Sequence, residues 1–456
     1  MIEFLRRGAQ TRPERPAVVT HDLTVSYAEL LAMAEGAATA LSELGADRIA
    51  LADHEAAPVI ALMAAAAATG VEVCLLPPDG AEQVLDLVGR FDHTVVVTDR
   101  DDLPESALPA GVRRVGLAGL LATPAQSAPG DLPAHRPHLV LTTGTTGAPR
   151  GVRHDWGRLV RSTAHVQPAG DEHWLLCFGL HQFAGLQVLL HVLAAGATLV
   201  APAPRRPREG LAAMRALGVT HASATPTYWR FLLAELRADG GPVPQLRQIT
   251  LGGEAVPGPL LGELATTFPD AHVSQVYAAS EFGSTGSMRD RRAGLSTAVL
   301  ERGEDADVAL KVVDGELWIR SRTGMVGYYG EPDVDAEEWR PTGDLVAVED
   351  GRLVFLGRSS EIINVGGVKV HPLVIEERIG AVAGVDVARV YGRRNPMTGQ
   401  IVAVEVVASA GADTTAIDAA IRAACADLPS ASRPRSIRFV DEVSTTGSKI
   451  VRREAP

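Results

Sequence analysis

Apolar positions follow two alternating patterns through the first three hundred residues. Short runs with β-branched residues, VEVCLLP (71–77), HTVVVTD (93–99) and ATLVAPA (197–203), have the length and texture of buried strands. Between them lie alanine- and leucine-rich stretches, VSYAELLAMAEGAATALSELG (25–45) and LQVLLHVLAAG (186–196), which predict helices. This alternation predicts an α/β fold with layered, largely parallel sheets. PVIALMAAAAATG (58–70) is apolar on every face but too short to span a bilayer, and predicts a helix buried in the core. No repeat of roughly 20–50 residues and no heptad pattern interrupts the series.

From about Asp307 the pattern shortens to strands and turns, VALKVVDGELWIRS and DLVAVEDGRLVFLG, which predict a β-rich subdomain. After GRSSE (357–361) come a glycine pair, a helical stretch PLVIEERIGAV and a further β–α–β alternation. The expected organisation is a large N-terminal domain over 1–358, a hinge at 359–360, and a small mobile α+β C-terminal domain over 361–456. A two-residue joint lets two rigid bodies swivel while staying close.

Composition narrows the functional classes. The 456-residue chain is 46% hydrophobic and 21% charged, the balance of a folded soluble protein. Its net charge of −12, with no basic stripe, argues against a nucleic-acid partner. Cys74, Cys177 and Cys425 lie far apart, which suggests neither a disulfide framework nor a zinc site and suits a reducing cytosol. The opening MIEFLRRGAQ lacks the apolar core of a signal peptide, so a cytoplasmic protein without a membrane partner is expected. Of 43 basic residues three are lysine, Lys311, Lys369 and Lys449. Where lysine persists in so arginine-rich a chain, a compact ammonium is a candidate requirement.

One segment carries candidate chemistry on its face. LTTGTTGAPRGV (141–152) follows the apolar run HLVLTT. It is neither a Walker A loop, which needs a lysine and hydroxyl after its last glycine, nor GxGxxG. Gly144, Gly147 and Gly151 free the backbone to turn sharply. Exposed N–H groups and the hydroxyls of Thr142, Thr143, Thr145 and Thr146 can together wrap a phosphate. Taken alone, such a loop is also an ordinary surface turn.

The segment resembles the TSGTTGxPKG signature of the adenylate-forming superfamily (acyl- and aryl-CoA ligases, adenylation domains and luciferases), with Thr143 for serine and Arg150 for lysine. Other motifs follow in the family's order. ITLGGEAVP (249–257) is similar to its GGE segment, and YAASE (277–281) to YGxTE. GELWIRSRTGMVGYYG (315–330) and RPTGDL (340–345) resemble the run into its TGD aspartate. GRSSEIINVGGVKVHPLVIE (357–376) resembles its joint, and STTGSKIVRR (444–453) its terminal lysine loop.

The resemblance implies ATP and Mg²⁺ as cofactors, and a reaction in which a carboxylate attacks the α-phosphate, releases pyrophosphate and leaves an acyl-AMP. Thr142, Thr143, Gly144, Thr145, Thr146, Gly147 and Arg150 would hold the departing phosphates. Gly252, Gly253, Glu254, Tyr277, Ala278 and Ser280 would flank the adenylate. Glu281 would bind the metal and Asp344 the ribose, with Arg358 adding a second contact to the ribose or phosphate. Lys449 would be the catalytic ammonium, with Glu281 and Thr146 as its catalytic partners. Gly366 and Gly367 would line the thiol channel after the small domain rotates. The joint departs from the family pattern, with Ser360 where aspartate or lysine is usual.

CFGLHQFAGLQVLL (177–190) is similar to the family's acyl-pocket segment, with Gln182 in the usual histidine slot and His181 one place earlier. His181, Gln182, Gly185, Ala279, Thr227 and Tyr228 are the expected pocket residues. No carboxylate lies in this stretch to pair an α-ammonium, so an aryl or short-to-medium acyl acid is expected rather than an α-amino acid. The expected acceptor is CoA. The alternatives are the phosphopantetheine of a separate carrier protein, or an amine.

Overall fold

The computed structural model describes residues 1–125, 131–142, 149–168, 170–202, 205–303, 305–446 and 449–452, with the backbone alone for Thr446 and Lys449. The alanine-rich segment forms the helix Ala56–Thr69, and all but two of its fourteen residues are buried. Residues this small let Tyr27–Leu44, whose Ala34, Ala37 and Ala38 are also buried, lie close alongside. The helix Tyr27–Leu44 begins two residues later than its apolar run. Ser26 and Glu29 form a reciprocal capping box, while Val25 and Ser26 belong to the strand Thr24–Ser26.

Two sheets flank this helical layer. An eight-stranded sheet runs Gly283–Met288, His272–Ala279, Gln248–Gly252, His221–Ala224, His173–Leu176, Thr198–Val200, Pro16–Val19, Thr24–Ser26. Its interior pairs are parallel and its outermost pairs antiparallel. A seven-stranded sheet contains Glu72–Leu75 beside Pro137–Thr142, followed by Arg150–Asp155 and Gly327–Tyr328. From Pro137–Thr142 to its far edge the pairs are parallel, as the buried apolar runs predicted, while the two pairs on the other side are antiparallel. Thr142 and Arg150 face each other across the antiparallel pair of Pro137–Thr142 with Arg150–Asp155.

The β-rich subdomain is a five-stranded antiparallel sheet that includes Glu316–Ser321, Arg340–Glu349 and Arg352–Arg358. A short 3-10 turn, Ser359–Glu361, connects it to the last sheet, built around the long hairpin Val385–Asn395 with Gly399–Ala408. Pro372–Gly380 and Thr414–Ala424 pack on that sheet over a core of Ile375, Ile379, Val390, Val404 and Ile421. Among the described residues no helix is long and apolar enough to cross a membrane. The mixed α/β layers, the β-rich subdomain and the smaller C-terminal unit thus agree with the sequence pattern.

Three histidines lie deep in the large domain. Burial lowers His93 and His138 to about 4 and His154 to about 3, from an ordinary 6.5. Below pH 6.5 the unfolded chain therefore takes up protons that the folded chain refuses. Unfolding free energy should fall as pH drops from 6.5 towards 4.5, by up to about 1.4 kcal/mol per pH unit for each histidine. Denaturant titrations across that window should show the decline, and a flat profile would contradict it.

Candidate active site

A cavity of about 2350 Å³ opens at the carboxyl ends of the parallel strands of the eight-stranded sheet. Thr142, Gly252, Gly253, Ala278, Ala279 and Ser280 line it, together with His181, Gln182, Thr227 and Tyr228. Segments three hundred residues apart in sequence thus converge, because parallel strands bring their carboxyl ends to one side. Residues 143–148, including Thr143, Gly144, Thr145, Thr146 and Gly147, lie outside the described residues.

The foot of that loop is well defined. Arg150 stacks its guanidinium 3.4 Å from the centre of the Tyr328 ring and pairs with Glu331 at 2.7 Å. The Tyr328 hydroxyl donates to Glu281 Oε1 at 3.2 Å. Burial first, then the Glu281 charge, pushes that phenol up to about 12, so it remains a neutral donor. One tyrosine therefore links the loop cation to the glutamate expected to meet a metal. No group of three or more His, Cys, Asp or Glu side chains among the described residues can hold a metal ion. A single carboxylate with one oxygen in reserve suits magnesium arriving with phosphates and water, not a protein-caged ion.

Asp344 is buried, and two partners fix its carboxylate. Tyr277 donates its hydroxyl to Oδ2 at 2.6 Å, and Arg358 Nε donates to Oδ1 at 3.1 Å. Thr342 Oγ1 accepts from the Asp344 amide at 3.1 Å, a local turn that orients the carboxylate. Burial, then Asp344, raises the Tyr277 pKa far above the ordinary phenol value. Burial works against the Arg358 charge, but Asp344 and Glu281 more than offset it and its pKa is raised. Two of the four lone-pair directions on Asp344 remain open to a hydroxyl ligand.

Thr227 and Tyr228 sit at the start of the helix Pro226–Asp239, where Pro226 occupies the first turn and Thr225 accepts from Tyr228 N. The Thr227 amide, one of the first-turn donors without a helical acceptor, is satisfied by Glu254 Oε2 at 3.1 Å. The other oxygen of Glu254 accepts from Ile450 N at 3.0 Å. Glu254 thus ties the pocket helix to the C-terminal tail. That tail is a short hairpin, Thr445–Thr446 with Lys449–Ile450, and Glu442 and Thr445 line the cavity.

Ion pairs hold the tail from behind. Arg452 grips Glu376 through two nitrogens, at 2.9 and 2.8 Å, and lies 3.7 Å from Glu361. Arg389 Nε donates to Val451 O at 2.5 Å while its other arm meets buried Glu405. Arg237 pairs with Asp386 at 2.8 Å, joining the two domains again. In this arrangement the tail reaches the cavity. Gly366 and Gly367 instead occupy positive-φ positions at a hairpin tip, and Gly367 lines a separate depression with Asn364 and Thr398.

The structure corrects one pocket expectation. Gly185 does not line the cavity, because its backbone packs against Gly179, and a Cβ there would lie 2.1 Å from the Gly179 carbonyl oxygen. Its helix, Phe183–Ala195, begins three residues before the apolar run suggested. Gln182 lines the cavity but also accepts from Gly179 N at 3.0 Å, so part of its role is to hold the preceding loop. Sequence reasoning passed over Tyr328, Glu376, Arg452, Arg205 and His54. The GYYG run held a signal for Tyr328; the Arg452–Glu376 pair spans 76 positions and leaves no local pattern.

A strand pair flanking a glycine- and threonine-rich loop, a buried carboxylate and a tail hairpin thus meet around one cavity. The family models for AMP-binding enzyme and AMP-binding enzyme C-terminal domain match residues 5–329 and 374–449, and the chain belongs to this adenylate-forming family. It is 28% identical over 481 residues to a Mycobacterium tuberculosis ligase, 3-[(3aS,4S,7aS)-7a-methyl-1,5-dioxo-octahydro-1H-inden-4-yl]propanoyl:CoA ligase, covering 96% of this chain and 94% of the relative. It is 26% identical over 491 residues to 2-succinylbenzoate–CoA ligase of Bacillus cereus, covering 100% and 98%. Its fold matches the anthranilate CoA ligase AuaEII in complex with anthranoyl-AMP at a TM-score of 0.86 and 20% identity, covering 99% and 95%.

The tail anchor yields a measurable expectation. Glu376→Gln leaves Arg452 a buried cation with its main partner neutralised, which costs about 3 kcal/mol locally. Trypsin should cut after Arg452 at least about tenfold faster in this variant. Unchanged cleavage would mean that other contacts hold the tail.

Proposed function

We propose that this protein activates a carboxylic acid with ATP to an acyl-adenylate and transfers the acyl group to the thiol of CoA. The observation that carries this reading is the tail hairpin docked against Glu254 above a cavity lined by the GGE and YAAS segments. Full-length similarity to two CoA ligases supports the same acceptor.

The division of labour follows from charge. The carboxylate and the triphosphate repel, so cations must gather before they meet. Lys449, on the hairpin strand ending at Ile450, supplies an ammonium beside the α-phosphate as charge develops in the transition state. Thr142 and residues 143–147 wrap the outer phosphates, and Arg150, braced by Tyr328, faces the departing pyrophosphate. Asp344, positioned by Tyr277 and Arg358, accepts from the ribose hydroxyls. Magnesium, where Glu281 would hold it, neutralises phosphate charge. Gly252, Gly253, Tyr277, Ala278 and Ser280 flank the nucleotide; His181, Gln182, Thr227, Tyr228 and Ala279 enclose the acid.

Transfer needs the other face of the small domain. The division into 1–358 and 361–456 about residues 359–360 lets the tail withdraw and Gly366–Gly367 approach with the thiol. A free-standing carrier phosphopantetheine would use the same channel, and assays with CoA or a pantetheinylated carrier separate the two. A panel of carboxylic acids scored by ATP-dependent pyrophosphate release, with and without CoA, tests the reading; no release with any acid would overturn it. Lys449→Ala should slow acyl-adenylate formation by at least about a hundredfold, roughly 3 kcal/mol. Thiolysis of a supplied acyl-adenylate should stay near wild type. Equal loss in both half-reactions would contradict the assignment.

A further inference from the structure

One wall of the cavity is more basic than activation of a simple acid requires. His54, His181 and Arg205 all line it. The two imidazoles meet edge-on with ring centres 6.4 Å apart. His181 folds directly over Gly179, where a Cβ would lie 2.3 Å from the ring, so the glycine makes room for it. Arg205 Nε and His54 Nε2 are both buried without a hydrogen-bond partner.

Among the described residues no carboxylate pairs with Arg205. Burial lowers its pKa, and the group opposing that shift is Cys177, whose own thiol burial pushes up to about 12 and which is therefore neutral. Glu209 lines the same cavity, but its charge acts on Tyr228 rather than on Arg205. Burial first, then the neighbouring positive charges including Arg205, lowers His54 and His181 to about 4. At neutral pH these three side chains thus present one cation and two uncharged imidazoles, with unused donors at Arg205 Nε and His54 Nε2. A cation withdrawn from water without a partner is costly unless a ligand completes it.

We propose that the acid activated by this chain carries a second carboxylate, remote from the one that is adenylated, which Arg205 pairs with while His54 and His181 donate from its flanks. The inference rests on the ligase reading and narrows its substrate class to dicarboxylic acids. An arginine fork matches a carboxylate in two-point geometry, and neutral imidazoles satisfy its remaining lone pairs. A monocarboxylic acid of the same shape would leave the half-buried Arg205 cut off from water and unpaired, so discrimination should be large.

Matched pairs test it: hexanoate with adipate, benzoate with terephthalate, and hydrocinnamate with its para-carboxy derivative. Each is scored by kcat/KM for pyrophosphate release and by calorimetric binding. The diacid should lead in at least one pair by roughly a hundredfold. Arg205→Met should collapse that ratio, and Arg205→Lys should restore part of it. General structural damage would instead lower both members together, and an unchanged ratio in Arg205→Met overturns the proposal. Turnover that favours the monoacids keeps the ligase reading and sinks the second-carboxylate pocket. Tighter binding of diacids without any pyrophosphate release keeps the pocket and sinks the ligase reading.

Discussion

The two oxygens of Glu254 are the point on which the active arrangement turns. One caps the helix that carries Thr227 and Tyr228, and the other accepts from Ile450 in the tail. Hydrogen bonds from backbone amides to a charged carboxylate are individually worth about 1.5–3 kcal/mol. That is enough to favour docking of a hairpin and small enough to release it. The acceptor on the large domain is rigid, because strand and helix ends define it, so the tail either meets it or does not.

Around that contact the site relies on neutral phenols to arrange charge. Tyr277 orders Asp344, and Tyr328 ties Glu281 to the stacked Arg150. Each phenol is held protonated by burial and by the carboxylate it serves. The carboxylates of Asp344 and Glu281 are thereby oriented without being neutralised. The small domain uses the opposite device: buried ion pairs, Arg452 with Glu376 and Arg389 with Glu405, make the tail root a rigid lever. The tail is thus held by ion pairs at its root and by a backbone hydrogen bond to Glu254 nearer its tip.

Much of this was legible in the chain itself. The apolar runs located the buried parallel strands, and the alanine-rich segment announced a helix enclosed on all sides. Asp344, Arg358 and Glu254 stood in short motifs that map onto single elements: Asp344 within the strand Arg340–Glu349, Arg358 at the end of Arg352–Arg358, and Glu254 just after Gln248–Gly252. Boundaries were less legible where one periodicity ran into another. Val25 and Ser26 continue the helical pattern of 27–44 yet belong to a strand, and the Ser26–Glu29 capping box marks the break. Gly185 misled because a glycine that permits backbone approach and one that shapes a pocket look alike in sequence. Arg205, His54 and the Arg452–Glu376 pair were hidden for another reason. Their significance comes from what the fold places, or fails to place, beside them.

The account makes the Ile450 amide a switchable contact that matters for adenylation and not for transfer. Replacing that amide by an ester, through ligation of a synthetic C-terminal segment, removes one N–H and leaves Glu254 and Lys449 in place. Single-turnover kinetics should then show acyl-adenylate formation slowed about tenfold, the equivalent of about 1.4 kcal/mol. Transfer from a supplied acyl-adenylate to CoA should proceed at the unmodified rate. Equal slowing of both steps, or of neither, would contradict the claim that this contact holds the tail for the first step alone.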